Sequence, residues 1–500
     1  MVRTAEGFFA IGATALLAAC GSNAAGPAAT ARPSTAPPTT VPPSAAAPSP
    51  GASPAASPAA SATSSVVAAS GTIALAVNAV LGGKNNQEAS WLHDWAVPIF
   101  QQDEGNRVTV NVQYIGGSGA DFEKQLALDI QSKSGPDVFD LDGPYVGQYA
   151  SSGYLKPLSE LPGGSLVDAW DGWAQIPQTV QDNMSFKGQR YGIPNGTDGR
   201  VLFYNKDLFQ QAGLPQDWHP KSWDDITSAA QTIKSKLPDV IPLQINAGAN
   251  SNFGEATTLQ GFLPFLAGAG QLIYNEQDLM WQGNTPAMRE ALSFFQTIYS
   301  QGLADKSIQV NPQGRTVSFQ QFAAGKLAVV LESEYLYESV LAPDGLAPMA
   351  NRETVVGYTL IPAMKPGAGI RNQDFISLSG GGGRVINPYT SNPQAAWALL
   401  TFLESKAAVE KYFTYEPIIS ARQDANASLT DPLLKFIADN VLKYTAYRPS
   451  LAVYPQVSAA IQSMVQSVAE GEASPEQAAT TFADKIQALP DIGPSHVANS

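Results

Sequence analysis

The stretch YGIPNGTDGRVLFYNK, residues 191–206, decides the fold that the sequence predicts. It opens with a proline-limited extended segment and closes with the apolar run 201–204, which is typical of a buried strand. Between them lies a polar turn rich in Gly and Asn, which adopt backbone conformations that most residues resist. A strand, a polar break and a second strand suit a chain that leaves one lobe and enters another. We therefore predict a hinge at 195–199 that places Asn195, Thr197 and Asp198 in a crevice.

Length and charge limit the classes of function. Five hundred residues exceed one ordinary domain, so two lobes with appendages are expected. The chain has 29 Lys and Arg against 43 Asp and Glu, a net charge of −14, and its basic residues form no cluster. Nucleic acid and anionic membrane surfaces are therefore poor partners.

The N-terminal region has the pattern of a lipoprotein leader. Arg3 precedes a short apolar stretch, 8–19, which is too short to span a bilayer and is typical of a secretory signal. The run Leu17-Ala18-Ala19-Cys20 looks like a bacterial lipobox, in which the cysteine is diacylated and becomes the mature N-terminus. Cys20 is the only cysteine, so no intramolecular disulfide can form. We predict a signal peptide at 1–19 and a lipid anchor on Cys20.

Residues 20–70 follow as a linker that is almost entirely Ala, Pro, Ser and Thr. This composition cannot bury a core, and its prolines favour extended conformations. From residue 72 onward, apolar strand patterns alternate with helical ones: strands at 73–77, 108–114 and 138–141 flank helices at 91–100 and 121–132. Such alternation predicts an α/β fold with a largely parallel sheet, whose ligands lie beyond the carboxyl ends of the strands.

Ordered motifs along the globular part resemble one family. They are PDVFDLD then SGYLKPL, YGIP then LFYNKDLFQQAGL and SWDDI, and FAAGKLAVVLE, SNPQAAWALLTFLES and YPQVSAAIQSMVQSV. Together they resemble the bacterial extracellular solute-binding proteins of ABC importers, in the sugar-binding group that includes maltose- and trehalose-binding proteins. The resemblance implies a two-lobed, type II periplasmic-binding-protein-like α/β fold with a ligand cleft between the lobes. It places the first lobe at 72–195 and 317–375, and the second at 197–316 and 379–500.

The resemblance also implies a function without catalysis. The chain would be anchored at the cell membrane on its extracellular or periplasmic face. As a monomer, it would deliver a mono- or oligosaccharide to ABC permease subunits by lobe closure, without a cofactor or metal. Other solutes, such as a glycerophosphodiester or an oligopeptide, and a secreted two-carboxylate hydrolase are the alternatives. The hydrolase is disfavoured because the three histidines are scattered and no nucleophile motif is present.

Sugar binding needs planar polar groups for hydroxyl pairs and aromatic faces for the apolar side of the ring. Asp142 ends a strand where the family commonly supplies an acid to sugar hydroxyls, with Tyr145 close behind; a helix N-cap is the alternative role for Asp142. Asp140 lies on the same strand face, so a catalytic carboxylate pair and a calcium-binding loop are alternatives to consider. Both are disfavoured because the flanking ligand spacing is absent. By its register with the run 202–204, Asp198 falls where related proteins place an acidic contact in the hinge. The alternative is a solvated residue of the turn.

The remaining candidates come from other loops. Tyr335 stands where relatives place a stacking Trp, with core packing as the alternative. Arg448 matches a cleft arginine of trehalose-type relatives, with Arg422 as its competitor. The run 380–383 lacks the pattern of a phosphate-binding loop, so its glycines are predicted to let the backbone approach a ligand closely. The predicted ligand-binding set is Asn86, Gln87, Ser118, Asp142, Tyr145, Asp198, Tyr335, Gly381, Gly382 and Arg448.

Overall fold

The computed structural model describes residues 69–116, 119–343 and 345–499. The predicted signal peptide, Cys20, nearly all of the linker and Ser118 lie outside the described residues. Within these three ranges, no helix combines the length and the apolar character needed to cross a bilayer.

A five-stranded sheet forms the centre of the first lobe. In spatial order, its strands are Val108–Tyr114, Gly71–Val77, Val138–Asp142, Gly382–Ile386 and Gly192–Pro194. The first three run parallel, as the strand–helix alternation predicts, and the last two pair antiparallel to their neighbours. The sheet is therefore mixed, because its last two strands enter from crossover segments and not from βαβ units.

Helices cover both faces of this sheet, and each face has its own apolar core. Leu75, Phe100 and Leu400 pack on one side, while Phe122 and Phe139 pack on the other. The helices that belong to this lobe are Asn86–Trp91, Val97–Asp103, Gly119–Gln131, Gly143–Ser151, Gly164–Asp168, Gln178–Asp182, Pro393–Leu403, Lys406–Tyr412 and Gln423–Asn426. A short hairpin joins Ser185–Phe186 to Gln189–Arg190.

The second lobe is built around a four-stranded sheet in the order Val356–Thr359, Arg200–Asn205, Leu327–Ser333 and Ile241–Gln244. Arg200–Asn205 is buried along its whole length, as the apolar run 201–204 predicts. Two smaller sheets accompany it, one formed by Ile361–Pro362, Phe375–Ser379 and Thr445–Tyr447, and the other by Tyr274–Asn275, Met280–Gln282 and Val497–Ala498.

Helix ends in the second lobe follow local sequence signals. Ser222 Oγ accepts a hydrogen bond from Asp225 N, and Ser474 with Gln477 forms a complete capping box. Apolar side chains of these helices form two cores against the sheet. The helices are Lys206–Ala212, Trp223–Lys236, Leu263–Gly268, Pro286–Ser300, Lys306–Val310, Gly314–Ala323, Arg352–Val355, Pro432–Phe436, Tyr454–Glu470 and Pro475–Gln487.

Strand pairing corrects the predicted lobe boundaries in two places. Residues 317–375 are predicted in the first lobe, but Leu327–Ser333 pairs with Arg200–Asn205 in the second sheet. Residues 379–500 are predicted in the second lobe, but Gly382–Ile386 pairs with Val138–Asp142 in the first sheet. The assignment of 317–375 is wrong, and the assignment of 379–500 is wrong for the strand Gly382–Ile386. A strand's partner is set by long-range packing, which a local apolar pattern does not reveal.

Candidate functional site

Three crossover segments, 195–199, 380–381 and 413–428, connect the two lobes and meet one another. Thr197 N donates a hydrogen bond to Ile419 O at 3.0 Å, and Gly196 forms a β-bridge with Ser420. Asn195 N donates to Gly382 O at 3.3 Å. The predicted hinge at 195–199 is therefore one of the three crossover segments that connect the lobes.

Gly381 shows why glycines occupy this connection. Its φ of 112° favours glycine, and a Cβ at this residue would lie 2.6 Å from Gly196 O. Its carbonyl accepts hydrogen bonds from Asn183 Nδ2 at 2.8 Å and from Gly143 N at 3.2 Å. A Cβ on Gly382 would similarly lie 2.5 Å from Leu141 O. In this structure, these glycines let protein backbone approach protein backbone, whereas the prediction was approach to a ligand.

Asp142 lies at the end of its strand, directly before the helix Gly143–Ser151. It occupies the N-cap position, but its side chain makes no capping hydrogen bond, so the helix-cap alternative fails. The side chain is open to solvent on one side and surrounded by protein on the others. Burial raises the pKa of the Asp142 carboxyl, while Arg448 and Lys84 act to lower it. The carboxylate is therefore available to a molecule in the crevice.

Arg448 reaches the same crevice from the second lobe. Its Nη1 donates to Glu255 Oε2 at 2.9 Å, and its charge acts on Asp142. Burial alone would lower the pKa of the Arg448 guanidinium, but Tyr454 and Glu255 outweigh burial and raise it. Because an arginine carries five N–H donors, this ion pair leaves others for a ligand. Asp142 and Arg448 thus come from opposite lobes, and their charges act on each other.

Glu255 holds the arginine in place and was missed by sequence reasoning. Its carboxylate accepts from Arg448, from Tyr454 OH at 3.1 Å and from Ser458 Oγ. It begins the helical segment 255–262, far from Arg448 in sequence, and no spacing or motif marks it. The competitor Arg422 is instead paired with Asp424 at 2.9 Å.

Two further groups line the wall beside Asp142. Tyr145, half-buried one turn into the helix, lies within electrostatic reach of Asp142, Glu255 and Arg448. Glu123 is buried behind Asp142, and its Oε1 accepts from Asp142 N at 3.3 Å. Burial, with the nearby Asp142 charge, raises the pKa of Glu123 to about 8. Glu123 therefore holds a proton near neutral pH.

Asp198 makes its hydrogen bonds mainly within the crossover segments and less with the open crevice. Its Oδ1 accepts from Arg200 Nη1 and from Gly380 N, which joins two of the three connecting segments. Glu334 accepts from Gly199 N at 3.3 Å, and burial together with Asp198 raises its pKa to about 8. Asp198 retains partial exposure, with 26% of its side chain accessible.

A cavity of about 180 Å³ lies in the first lobe beside Asp142. Asn85, Glu88 and Asn195 line it, whereas Asn86 and Gln87 do not. Asn86 Oδ1 instead accepts from Gly82 N, and Gln87 points to solvent at the start of its helix. The structure therefore places Asn85 and Glu88, and not the predicted Asn86 and Gln87, at this cavity.

Two predictions remain to be placed. Tyr335 is 47% exposed directly after the strand Leu327–Ser333, which leaves its ring open for stacking. Asp140 pairs with Arg384 at 3.1 Å and so is engaged within the first lobe. Among the described residues, no group of three or more His, Cys, Asp or Glu is arranged to hold a metal ion.

Comparisons with known proteins agree with this arrangement. The chain is 23% identical over 387 residues to the galactooligosaccharide-binding protein of Bacillus subtilis, covering 77% of this chain and 83% of the relative. The fold matches a solute-binding protein of Thermotoga lettingae bound to α-D-tagatose (TM-score 0.62, 24% identity, 83% and 99% coverage). It also matches the sugar-binding protein MalE of Xanthomonas citri (TM-score 0.66, 20% identity, 82% and 95% coverage).

These three relatives are binding proteins and not enzymes. The model of one family, the bacterial extracellular solute-binding proteins, matches residues 83–410. This range includes four of the five strands of the first lobe's sheet, the whole four-stranded sheet of the second lobe and two of the three crossover segments. The chain therefore belongs to the bacterial extracellular solute-binding protein family.

Proposed function

We propose that the chain captures a mono- or oligosaccharide between its lobes and delivers it to the permease of an ABC importer. The observation that carries this proposal is the pair Asp142 and Arg448, a carboxylate and a guanidinium that come from opposite lobes and interact electrostatically. Both groups form paired hydrogen bonds with vicinal hydroxyls. The names of the relatives, which include galactooligosaccharide- and mannitol-binding proteins, support the same solute class.

Lobe closure is the proposed mechanism. A solute that contacts Asp142 and Arg448 at once interacts more strongly with a closed state than with an open one, and so shifts the population toward closure. The three crossover segments support this proposal because they are the short connections about which two lobes can rotate. The closed form would then dock on the permease as a monomer.

A lipid on Cys20 is the proposed anchor on the outer face of the cell membrane. The lipobox-like run that ends at Cys20 and the Ala/Pro/Ser/Thr-rich linker behind it support this assignment. Two or more acyl chains would hold the chain stably where one would not. Replacing Cys20 by Ser should release the chain from the membrane pellet on cell fractionation, and retention in the pellet would contradict the anchor.

The solute class is tested by calorimetric titration with monosaccharides, oligosaccharides, glycerophosphodiesters and oligopeptides. We expect binding only among the saccharides, and binding of a phosphodiester or a peptide alone would replace the proposal. Asp142→Asn and Arg448→Ala should each weaken binding by roughly 10- to 150-fold, since each removes a hydrogen bond to a charged group worth about 1.5–3 kcal/mol.

Matched control variants are Asp239→Asn and Arg107→Ala, which change exposed residues outside the crevice. Both should bind as the wild type does. Unaltered affinity in Asp142→Asn and Arg448→Ala together would remove the crevice as the binding site.

A further inference from the structure

Residues 448–451, which we call the strap, cross from the second lobe onto the first. They follow the strand Thr445–Tyr447 and lie on the helix Gly143–Ser151. Ser450 Oγ donates to Gly143 O at 2.8 Å and accepts from Gly147 N at 2.8 Å. One hydroxyl thus bridges the lobes through two backbone groups of the first turn of a helix.

The helix is shaped to receive the strap. A Cβ at Gly147 would lie 1.6 Å from Ser450 O and 2.6 Å from Ser450 C. Both of these are backbone atoms, so no side-chain rotation could relieve the overlap. Any larger residue at 147 would therefore lift the strap away from the helix.

The other side of the strap has room for such movement. All four strap residues border a cavity of about 580 Å³ between the two lobes. Its walls include 185–188 of the first lobe and 272–274 of the second. The strap is therefore attached on the side of the helix and free of dense packing on the side of the cavity.

Arg448 is the first residue of the strap, and Ser450 is attached two residues later. Glu255 fixes the Arg448 guanidinium within the second lobe, and the attachment of Ser450 to the first-lobe helix sets how that lobe, with Arg448, stands relative to Asp142. We infer that Ser450 and Gly147 are positioning residues that couple the placement of Arg448 to the approach of the two lobes. This inference rests on the proposed function, because it gives the strap the task of placing Arg448 against a solute.

The test compares Ser450→Ala and Gly147→Ala with Gly164→Ala. The control adds the same methyl group to a first-lobe glycine whose nearest neighbour would be Ser159 Cβ, at an ordinary 3.7 Å. Spin labels on cysteines introduced at the exposed Lys124 and Lys236, one in each lobe, report the distance between the lobes. The full chain is used, with Cys20→Ser so that these are its only cysteines.

We expect a shifted and broader distance distribution in Ser450→Ala and Gly147→Ala without any solute, and the wild-type distribution in Gly164→Ala. Thermal unfolding midpoints of Ser450→Ala should stay near the wild type, which separates a positioning role from a loss of fold. Distributions in Ser450→Ala that superimpose on the wild type would overturn the inference. A changed distance distribution in Ser450→Ala together with a clearly lowered unfolding midpoint would also overturn the inference, because a loss of fold would then explain both changes.

The distance measurement needs no ligand, so its failure is distinct from failure of the proposed function. Where the titrations above identify a saccharide, Ser450→Ala should raise its Kd by about tenfold, because the second lobe, with Arg448, is no longer attached to the helix that follows Asp142. An unchanged Kd for that saccharide would overturn the inference while leaving the proposed function intact.

Discussion

Arg384 in the first lobe and Arg315 in the second both contact acidic side chains, but the number of carboxylates around each arginine differs. Arg384 contacts three carboxylates: Glu88 at 2.6 Å, Asp140 at 3.1 Å and Glu404. Arg315 forms one bidentate pair with the fully buried Glu332, at 2.9 and 2.8 Å, and Asn246 donates to the same carboxylate at 3.0 Å. The first cluster is unbalanced in charge, and the second is balanced.

The difference shows in the protonation of the first cluster. Burial and the charges of Glu88 and Glu404 raise the pKa of Asp140 to about 8. The positive charge of Arg384 lowers it, but compensates for only part of this rise. Burial likewise raises the pKa of Glu404 to about 7 against the effect of Arg384. Burial alone would lower the pKa of Arg384, but the three carboxylates outweigh it. Because one cation cannot neutralise three carboxylates, Asp140 and Glu404 hold protons for part of the time near neutral pH.

The largest expected effect comes from removing that cation. Arg384→Met leaves three carboxylates near one another without a positive charge, and loss of one partner of a buried ion pair costs about 3–5 kcal/mol. We expect a loss of this size in the free energy of unfolding by urea at pH 8, and a smaller loss at pH 5, where the carboxylates take up protons. Arg107→Met, at an exposed ion pair, is the control. A loss below about 1 kcal/mol at pH 8 would contradict the importance of this cation.

Neutralising one acid in each cluster sharpens the comparison. Glu332→Gln removes the only carboxylate that pairs with Arg315 among the described residues, and should cost about 1.5–3 kcal/mol. Glu404→Gln imitates a carboxyl group that already holds a proton for part of the time, so its cost at pH 7 should be under about 1 kcal/mol. Urea unfolding of the two variants side by side measures both values. Equal costs would break the distinction between a balanced and an unbalanced cluster.

A further expected effect is a pH dependence of the free energy of unfolding. A carboxyl whose pKa is higher in the folded state than in the unfolded state binds more protons when folded, so stability falls as pH rises between the two pKa values. For Asp140 this window runs from its ordinary pKa near 4 to about 8. We expect the free energy of unfolding to decrease from pH 5 to pH 8, by at most about 1.4 kcal/mol per pH unit for each carboxyl.

Asp140→Asn should make that profile flatter, since it removes one titrating group from the cluster. The exposed Asp239→Asn variant should keep the wild-type profile. A wild-type stability that rises from pH 5 to pH 8 would contradict the raised pKa values.

Local sequence patterns predict the elements of this fold well and its connections poorly. Strands at 73–77, 108–114 and 138–141 and the caps at Ser222 and Ser474 follow from periodicity and capping chemistry, which depend on neighbouring residues. The place of Gly382–Ile386 in the first sheet does not follow, because its partner Val138–Asp142 lies far away in sequence. The resemblance to a family supplied the two-lobed architecture, but it did not supply the correct lobe for 317–375.

The candidate site divides in the same way. Asp142 could be predicted because it ends a strand, and Arg448 because it lies in a recognisable motif. Glu255 could not be predicted, since its role depends on Arg448, Tyr454 and Ser458, which approach it only in the folded chain. The glycines 381 and 382 were predicted in the right place for a different reason, because close approach to a ligand and close approach to backbone leave the same sequence signal.

The late return of the chain to the first sheet has a consequence for synthesis. Glu88 and Asp140 are made early, but the arginine that neutralises them arrives only with residue 384, after all four strands of the second lobe's central sheet. A nascent chain therefore cannot complete its N-terminal lobe first, and the two lobes must mature nearly together. A truncated product that stops before residue 382 would leave two acids facing an unfilled gap in the sheet, and should be recognised as unfolded by proteases.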